Sequence, residues 1–137
     1  PAGPQGPPGV VATGYGNGPI PTLSSTSIVF LGPTVSVAVG TNQRVHIIAN
    51  GGLGSTGAAG ALNLYVCYQL GGGAVNALGG GIWGLTSTAG QRHTYGVSGL
   101  TPTLSAGTYN VGLCGSATTP SQWNSNDYSH VTAMVLN

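Results

Sequence analysis

Leu62-Asn63-Leu64-Tyr65-Val66-Cys67-Tyr68-Gln69-Leu70 alternates in hydropathy along its whole length. Leu62, Leu64, Val66, Tyr68 and Leu70 share one phase, and a period of two sends alternate side chains to opposite faces of a strand. The same period returns on either side. Val35, Val37 and Val39 fall on one face, as do Tyr109, Val111 and Leu113. No segment shows helical spacing with caps, and the strong helix formers Glu and Lys are absent. Eight strands are expected, over residues 26–31, 34–39, 44–49, 62–70, 82–87, 91–98, 108–115 and 128–136. Gly40-Thr41-Asn42 supplies a hairpin turn between the second and third. Loops rich in Gly or in Ser and Asn are expected over 50–60, 71–81 and 117–126. Strands of this number and length favour an all-β fold, an antiparallel β-sandwich of jelly-roll type.

The 137 residues include 26 glycines, and only Arg44, Arg92 and Asp127 carry a full charge at neutral pH. A typical soluble domain is about a quarter charged, so Ser, Thr, Asn, Gln and backbone must wet this surface. The β-branched runs set the chain apart from disordered sequences, which lack them. A net charge of +1 gives no electrostatic case for nucleic acid. No apolar run is long enough for a membrane-spanning helix. A single carboxylate excludes a paired-carboxylate mechanism within one subunit, and no Gly-x-Ser-x-Gly elbow occurs. The match at Gly79, Gly81 and Gly84 lacks the helix and the acidic residue that a dinucleotide fingerprint needs, so it reads as loop. Asp127 and His130, three apart at a strand start, are expected on opposite faces. A protein without catalysis or cofactor is expected.

Pro1-Ala2-Gly3-Pro4-Gln5-Gly6-Pro7-Pro8-Gly9 sets glycine at every third position, the collagen period. Only glycine fits the crowded axis of three wound polyproline-II strands, so such a stalk demands three chains. The phase breaks at Ala12. Residues 1–9 are therefore expected to end a stalk, with a plain proline-rich linker as the alternative. Residues 10–22 are expected to form a hinge, because Gly14, Gly16, Gly18, Pro19 and Pro21 argue against regular structure. Residues 23–137 are expected to form a head that assembles as a homotrimer, its copies covering remaining strand edges.

Cys67 and Cys114 each sit within an expected strand on its polar phase. Their thiols can meet only if the two strands are neighbours or face each other across the sandwich. They are either bridged or separately buried as small apolar groups; the extracellular, cell-surface context implied by a stalk favours the bridge. Without C-x-x-C spacing they supply half a metal shell at best.

Candidate ligand-binding residues are Arg44, His46, Arg92, His93 and Trp123. In a trimer each arginine becomes three, with few acids to neutralise them, and guanidinium suits bidentate bonding to a sulfated or carboxylated glycan. Protonation of His46 or His93 would add charge below about pH 6.5. The plainer account is a scatter of polar residues on strand surfaces; a three-histidine metal site on the trimer axis is a third. Trp123 lies in the polar run Ser121-Gln122-Trp123-Asn124-Ser125-Asn126, where it either caps the core or offers a flat face to a sugar ring. Trp83, between Ile82 and Gly84, reads as core.

Triplets ending before a glycine- and threonine-rich β-domain resemble the C-terminal heads of bacterial collagen-like surface proteins. Leu104-Ser105-Ala106-Gly107-Thr108-Tyr109-Asn110-Val111-Gly112-Leu113-Cys114 is similar to a recurrent strand of such heads, and Tyr65-Val66-Cys67-Tyr68 to its partner. The resemblance extends to the Legionella collagen-like adhesin type. It implies a trimeric stalk-and-head adhesin whose heads trimerise the collagen and bind sulfated host polysaccharide. No family ligand motif maps onto Arg44, Arg92 or the histidines. Phage tail-fibre tips and spore-surface proteins share the architecture, so a purely structural trimerisation head is the alternative.

Overall fold

Alternating apolar side chains must be buried on one face of each strand, and here two antiparallel sheets bury them against each other. The computed structural model describes residues 2–4, 6 and 9–137. Its strands are β1 (Val10–Pro19), β2 (Val29–Phe30), β3 (Val35–Val39), β4 (Arg44–Ser55), β5 (Ala59–Leu70), β6 (Asn76–Ala77), β7 (Ile82–Ser87), β8 (Gln91–Leu100), β9 (Gly107–Ala117) and β10 (Tyr128–Leu136), with one 3-10 turn at Pro120–Gln122. Strand β1 pairs with β10, β3 with β9, β4 with β8 and β5 with β7, all antiparallel. The chain is thus one long ribbon doubled on itself. Pairing of β10 with β4 and of β9 with β5 rolls that ribbon into two sheets. The first runs β1-β10-β4-β8; the second is built around β9 and β5, with β3 and β7 flanking. This is the expected jelly roll. No helix among the described residues is long and apolar enough to cross a membrane.

The core lies between the sheets. Val45, Ile47, Ala49 and Leu53 of β4 and Val131, Ala133 and Val135 of β10 are buried with Leu62, Leu64 and Val66 of β5 and Val111 and Leu113 of β9. The roll has two distinguishable ends. At one, Val10 pairs with Leu136 and Leu136 with Arg44, while the Asn137 N–H donates to the Gly9 carbonyl at 3.0 Å. At the other, Pro19 pairs with Tyr128. A rise of about 3.3 Å per residue separates these near and far ends by roughly 30 Å along β1.

Two sequence expectations are corrected. Residues 10–22 are not a hinge, because Val10–Pro19 is a ten-residue edge strand of the first sheet. Its glycines occupy the inward phase, where side chains would collide with β3. A Cβ on Gly14 would stand 2.5 Å from Val35 Cγ1, and one on Gly16 3.1 Å from Val35 Cγ2. Glycine here is a space requirement at period two, which resembles a flexible linker when only composition is weighed. Residues 50–60 are likewise mostly strand, since β4 runs to Ser55 and β5 begins at Ala59. Inward-facing Gly51 again yields room, this time to Ile20 and Leu113. The expected stalk end, 1–9, falls partly outside the described residues, which omit Pro1, Gln5, Pro7 and Pro8.

Cys67 and Cys114 form a disulfide with Cα atoms 5.8 Å apart. The register explains how. Cys67 lies opposite Gly112 and Cys114 opposite Tyr65, so the cysteines are diagonal neighbours on the outward face of the second sheet. Gly112 adds no side chain beside Cys67. The bridge is fully buried although it faces away from the main core. Such bonds persist in oxidising compartments.

Closing a loop of 47 residues restrains the unfolded chain. Thiol titration of the unfolded, non-reduced protein should find no free sulfhydryl. Replacing both cysteines by serine should cost about 2–5 kcal/mol in denaturant unfolding. Ser129 gives the opposite expectation. Its hydroxyl is buried without a hydrogen-bond partner, so Ser129→Ala should stabilise the head by about 1 kcal/mol in the same assay.

Candidate functional site

The outward face of the first sheet becomes concave at its far end because of which side chains are missing there. In Asn50-Gly51-Gly52-Leu53-Gly54 of β4, Asn50, Gly52 and Gly54 take the outward phase. A Cβ on Gly52 would stand 2.9 Å from Asp127 Cβ, so glycine is what admits Asp127. The result is a groove of about 280 Å³. Asn50 lies opposite His130, and Gly52 opposite Thr94. Arg92 and Asp127 form its end wall, and Tyr128 its rim.

The end wall is rigidly wired. Arg92 Nη1 donates to Asp127 Oδ2 at 3.3 Å, Nε to the Ser125 carbonyl at 2.8 Å and Nη2 to Ser125 Oγ at 3.3 Å. The Tyr128 N–H donates to Asp127 Oδ1 at 2.8 Å. Both side chains of this ion pair are well exposed, at 44 % and 61 %. It therefore adds at most about 1 kcal/mol of stability, and its main effect is to hold both groups in position. The side wall is aromatic. Tyr15 Oη and His130 Nδ1 are hydrogen-bonded at 2.9 Å, and the His130 ring lies 6.4 Å from that of Tyr15 and 6.5 Å from that of Tyr128. Tyr128 remains half exposed.

Chemically, the groove offers donors and acceptors in balance. Asn50 and Thr94 can do both, Arg92 donates and Asp127 accepts, and the two formal charges cancel. A tyrosine ring with an apolar face and a polar tip sits beside them. Such a set fits a small polyhydroxylated ligand better than it fits a dense anion. The volume falls just below the roughly 300–1,000 Å³ of drug-sized ligand sites, room for one sugar ring at a time.

The structure separates most of the sequence candidates. Arg44 and His46 lie outward on β4, but at the near end. Arg92 pairs opposite Gly54, ten residues along β4 from Arg44 and roughly 33 Å away. Arg92 and His93 point to opposite sides of β8. His93 approaches Tyr95 at 6.4 Å, and burial pushes the Tyr95 phenol up from its usual value. Trp123 is not a ligand platform. It is fully buried, and its indole N–H donates to the Gly60 carbonyl at 3.4 Å. Capping an apolar core between the sheets outweighs the polar character of its neighbours. Trp83, expected in the core, is 70 % exposed on the edge strand β7. Asp127 and His130 share the groove instead of facing apart, because Asp127 precedes β10 and escapes strand alternation. Asn50, Thr94, Asp127, Tyr128 and His130 were missed as a set. The only signal in sequence was Asp127-Tyr128-x-His130, and nothing in it points to β4 or β8. Among the described residues no group of three or more His, Cys, Asp or Glu could hold a metal ion.

The two tryptophans should behave oppositely. Trp123→Ala should cost about 3–5 kcal/mol in thermal or denaturant unfolding, while Trp83→Ala should stay within about 0.5 kcal/mol of the parent.

No family model matches the chain, and no curated protein matches it. Among solved structures it is similar to a chain of infectious bursal disease virus, Gx strain, with a TM-score of 0.49 and 10 % sequence identity. The similarity covers 93 % of this chain and 33 % of the viral chain, so this chain spans about a third of that protein.

Proposed function

We propose that this chain is the non-enzymatic, extracellular head of a trimeric collagen-like stalk, and that its far end binds glycan. One observation carries the reading. The triplets lead into β1 at the near end, and the groove lies at the opposite end of that same strand. A head on a stalk meets its target with the end that faces away from the stalk. The disulfide suits an oxidising, cell-surface setting. The one carboxylate of the chain is committed to Arg92 and to the Tyr128 amide, which supports binding over catalysis.

The groove favours a neutral or weakly acidic sugar, its hydroxyls bonded to Asn50, Thr94 and Asp127 and its ring resting on Tyr128. A sulfated polysaccharide gripped by arginines is the second reading, supported by Arg44, which is exposed and in no salt bridge among the described residues. It would require sulfate to displace Asp127 from Arg92, or binding at Arg44 near the stalk.

A glycan array of neutral and sulfated oligosaccharides, probed at low and at physiological salt, separates these. Neutral glycans should bind with little salt dependence. Tyr128→Ala and Asp127→Asn should each weaken binding about tenfold, near 1.4 kcal/mol, with Arg44→Ala unchanged. Binding restricted to sulfated chains, falling steeply with salt and lost in Arg44→Ala, would transfer the function to the arginines. No glycan binding at all would leave a purely structural trimerisation head.

A further inference from the structure

The near end presents apolar surface that a lone head leaves uncovered. Val10 and Val11 open β1 at 46 % and 39 % exposed. Across the outward face the register sets Thr13 beside Met134, Met134 beside His46, and His46 beside Leu100. Leu100 is 46 % exposed, and Ile48, one step further along β4, is 42 % exposed. These apolar side chains are interspersed with Thr13, Arg44 and His46 on the same face, a mixture usual for a contact between protein chains. The strand beside it is also a sheet edge. Among the described residues its outer N–H and C=O groups have no strand partner and invite pairing, and between Val10 and Gly18 no proline or charged residue blunts them.

We infer that this near-end face is the contact between three copies of the chain. The inference rests on the reading of the chain as the head of a triple-stranded stalk. Glycines crowd the axis of a collagen triple helix, so three copies of Gly9 lie close around one line. Strand β1 begins at the very next residue, with no spacer. Extended chain gains about 3.3 Å per residue, so Thr13 lies within roughly 13 Å of chain from Gly9. However the heads tilt, the first half of β1 stays near the axis, and the surface around it faces the other two copies. Tyr128 and the groove lie roughly 20 Å further along the strand and are free of that tether. The copies meet at the stalk and the grooves remain open.

Met134 is the only methionine in the chain and stands within the inferred contact, so its oxidation by peroxide reports on that surface. The full chain with its triplets should sediment as a trimer. Thr13→Asp, an exposed position that would set three carboxylates around the axis, should sediment as a monomer with the Cys67–Cys114 bridge retained. Met134 should oxidise roughly tenfold more slowly in the wild-type trimer than in that monomer. Trp83→Asp, on the opposite flank of the sandwich, should remain trimeric. If Thr13→Asp does not fold, Leu100→Asp, at a 46 % exposed position of the same face, takes its place as the monomeric reference. A trimer whose Met134 is as reactive as the reference, or a folded Thr13→Asp that stays trimeric, overturns the contact while leaving the trimeric head standing. A wild-type monomer overturns both.

Discussion

The close approach of β1 to β3 is the contact on which the rest of the head depends. It closes the roll on the side where the chain enters, and it is possible only because Gly14 and Gly16 present no Cβ to Val35. Steric exclusion decides the matter: interiors are packed to crystal-like density, and an extra methyl at so short a distance must displace a neighbour. With β1 seated, its pairing to β10 is set, and so is the distance from the first residues to the far end. The direction in which the head points follows from that strand.

Electrostatics act on this protein through scarcity. With three formal charges in the chain, two of them paired, no surface carries a field strong enough to steer a partner from a distance. Recognition must then rest on short-range contacts: amide, hydroxyl and carboxylate hydrogen bonds, and aromatic faces. The Arg92–Asp127 pair belongs to this economy. Half exposed, it stabilises little, but the four hydrogen bonds around it hold an acceptor and a donor at fixed positions in the groove.

The two ends of the sandwich also differ in chemistry. Near the termini the outward face carries Val10, Met134 and Leu100 among Arg44 and His46; at the far end it carries Asn50, Thr94, Asp127 and His130. All but Asp127, which immediately precedes β10, belong to the same four strands. A single sheet face therefore offers an apolar surface suited to self-association and a polar one suited to a ligand, separated along the strand axis.

The sequence by itself determined eight of the ten strands, because a period of two is local and needs no partner to be recognised, while β1 and β6 fell in an expected hinge and loop. The run from Leu62 to Leu70 and the triads at Val35 and Tyr109 all became strands, with the expected faces inward except at the terminal Leu70, and an antiparallel sandwich followed. Phase also limited the cysteines to meeting across neighbouring or facing strands. Tertiary structure decided what depends on neighbours distant in the chain. Gly14, Gly16 and Gly51 look like flexible linker until the side chains packed against them are known. Trp123 sits in a polar run yet fills the core, and Trp83 sits among apolar residues yet faces solvent, because burial is set by what lies across from a residue and not beside it. The groove is the strongest case. Asn50 and Arg92 come from strands that only the pairing of β4 with β8 brings together, Asp127 joins them from the residue before β10, and Gly52 contributes by the absence of a side chain.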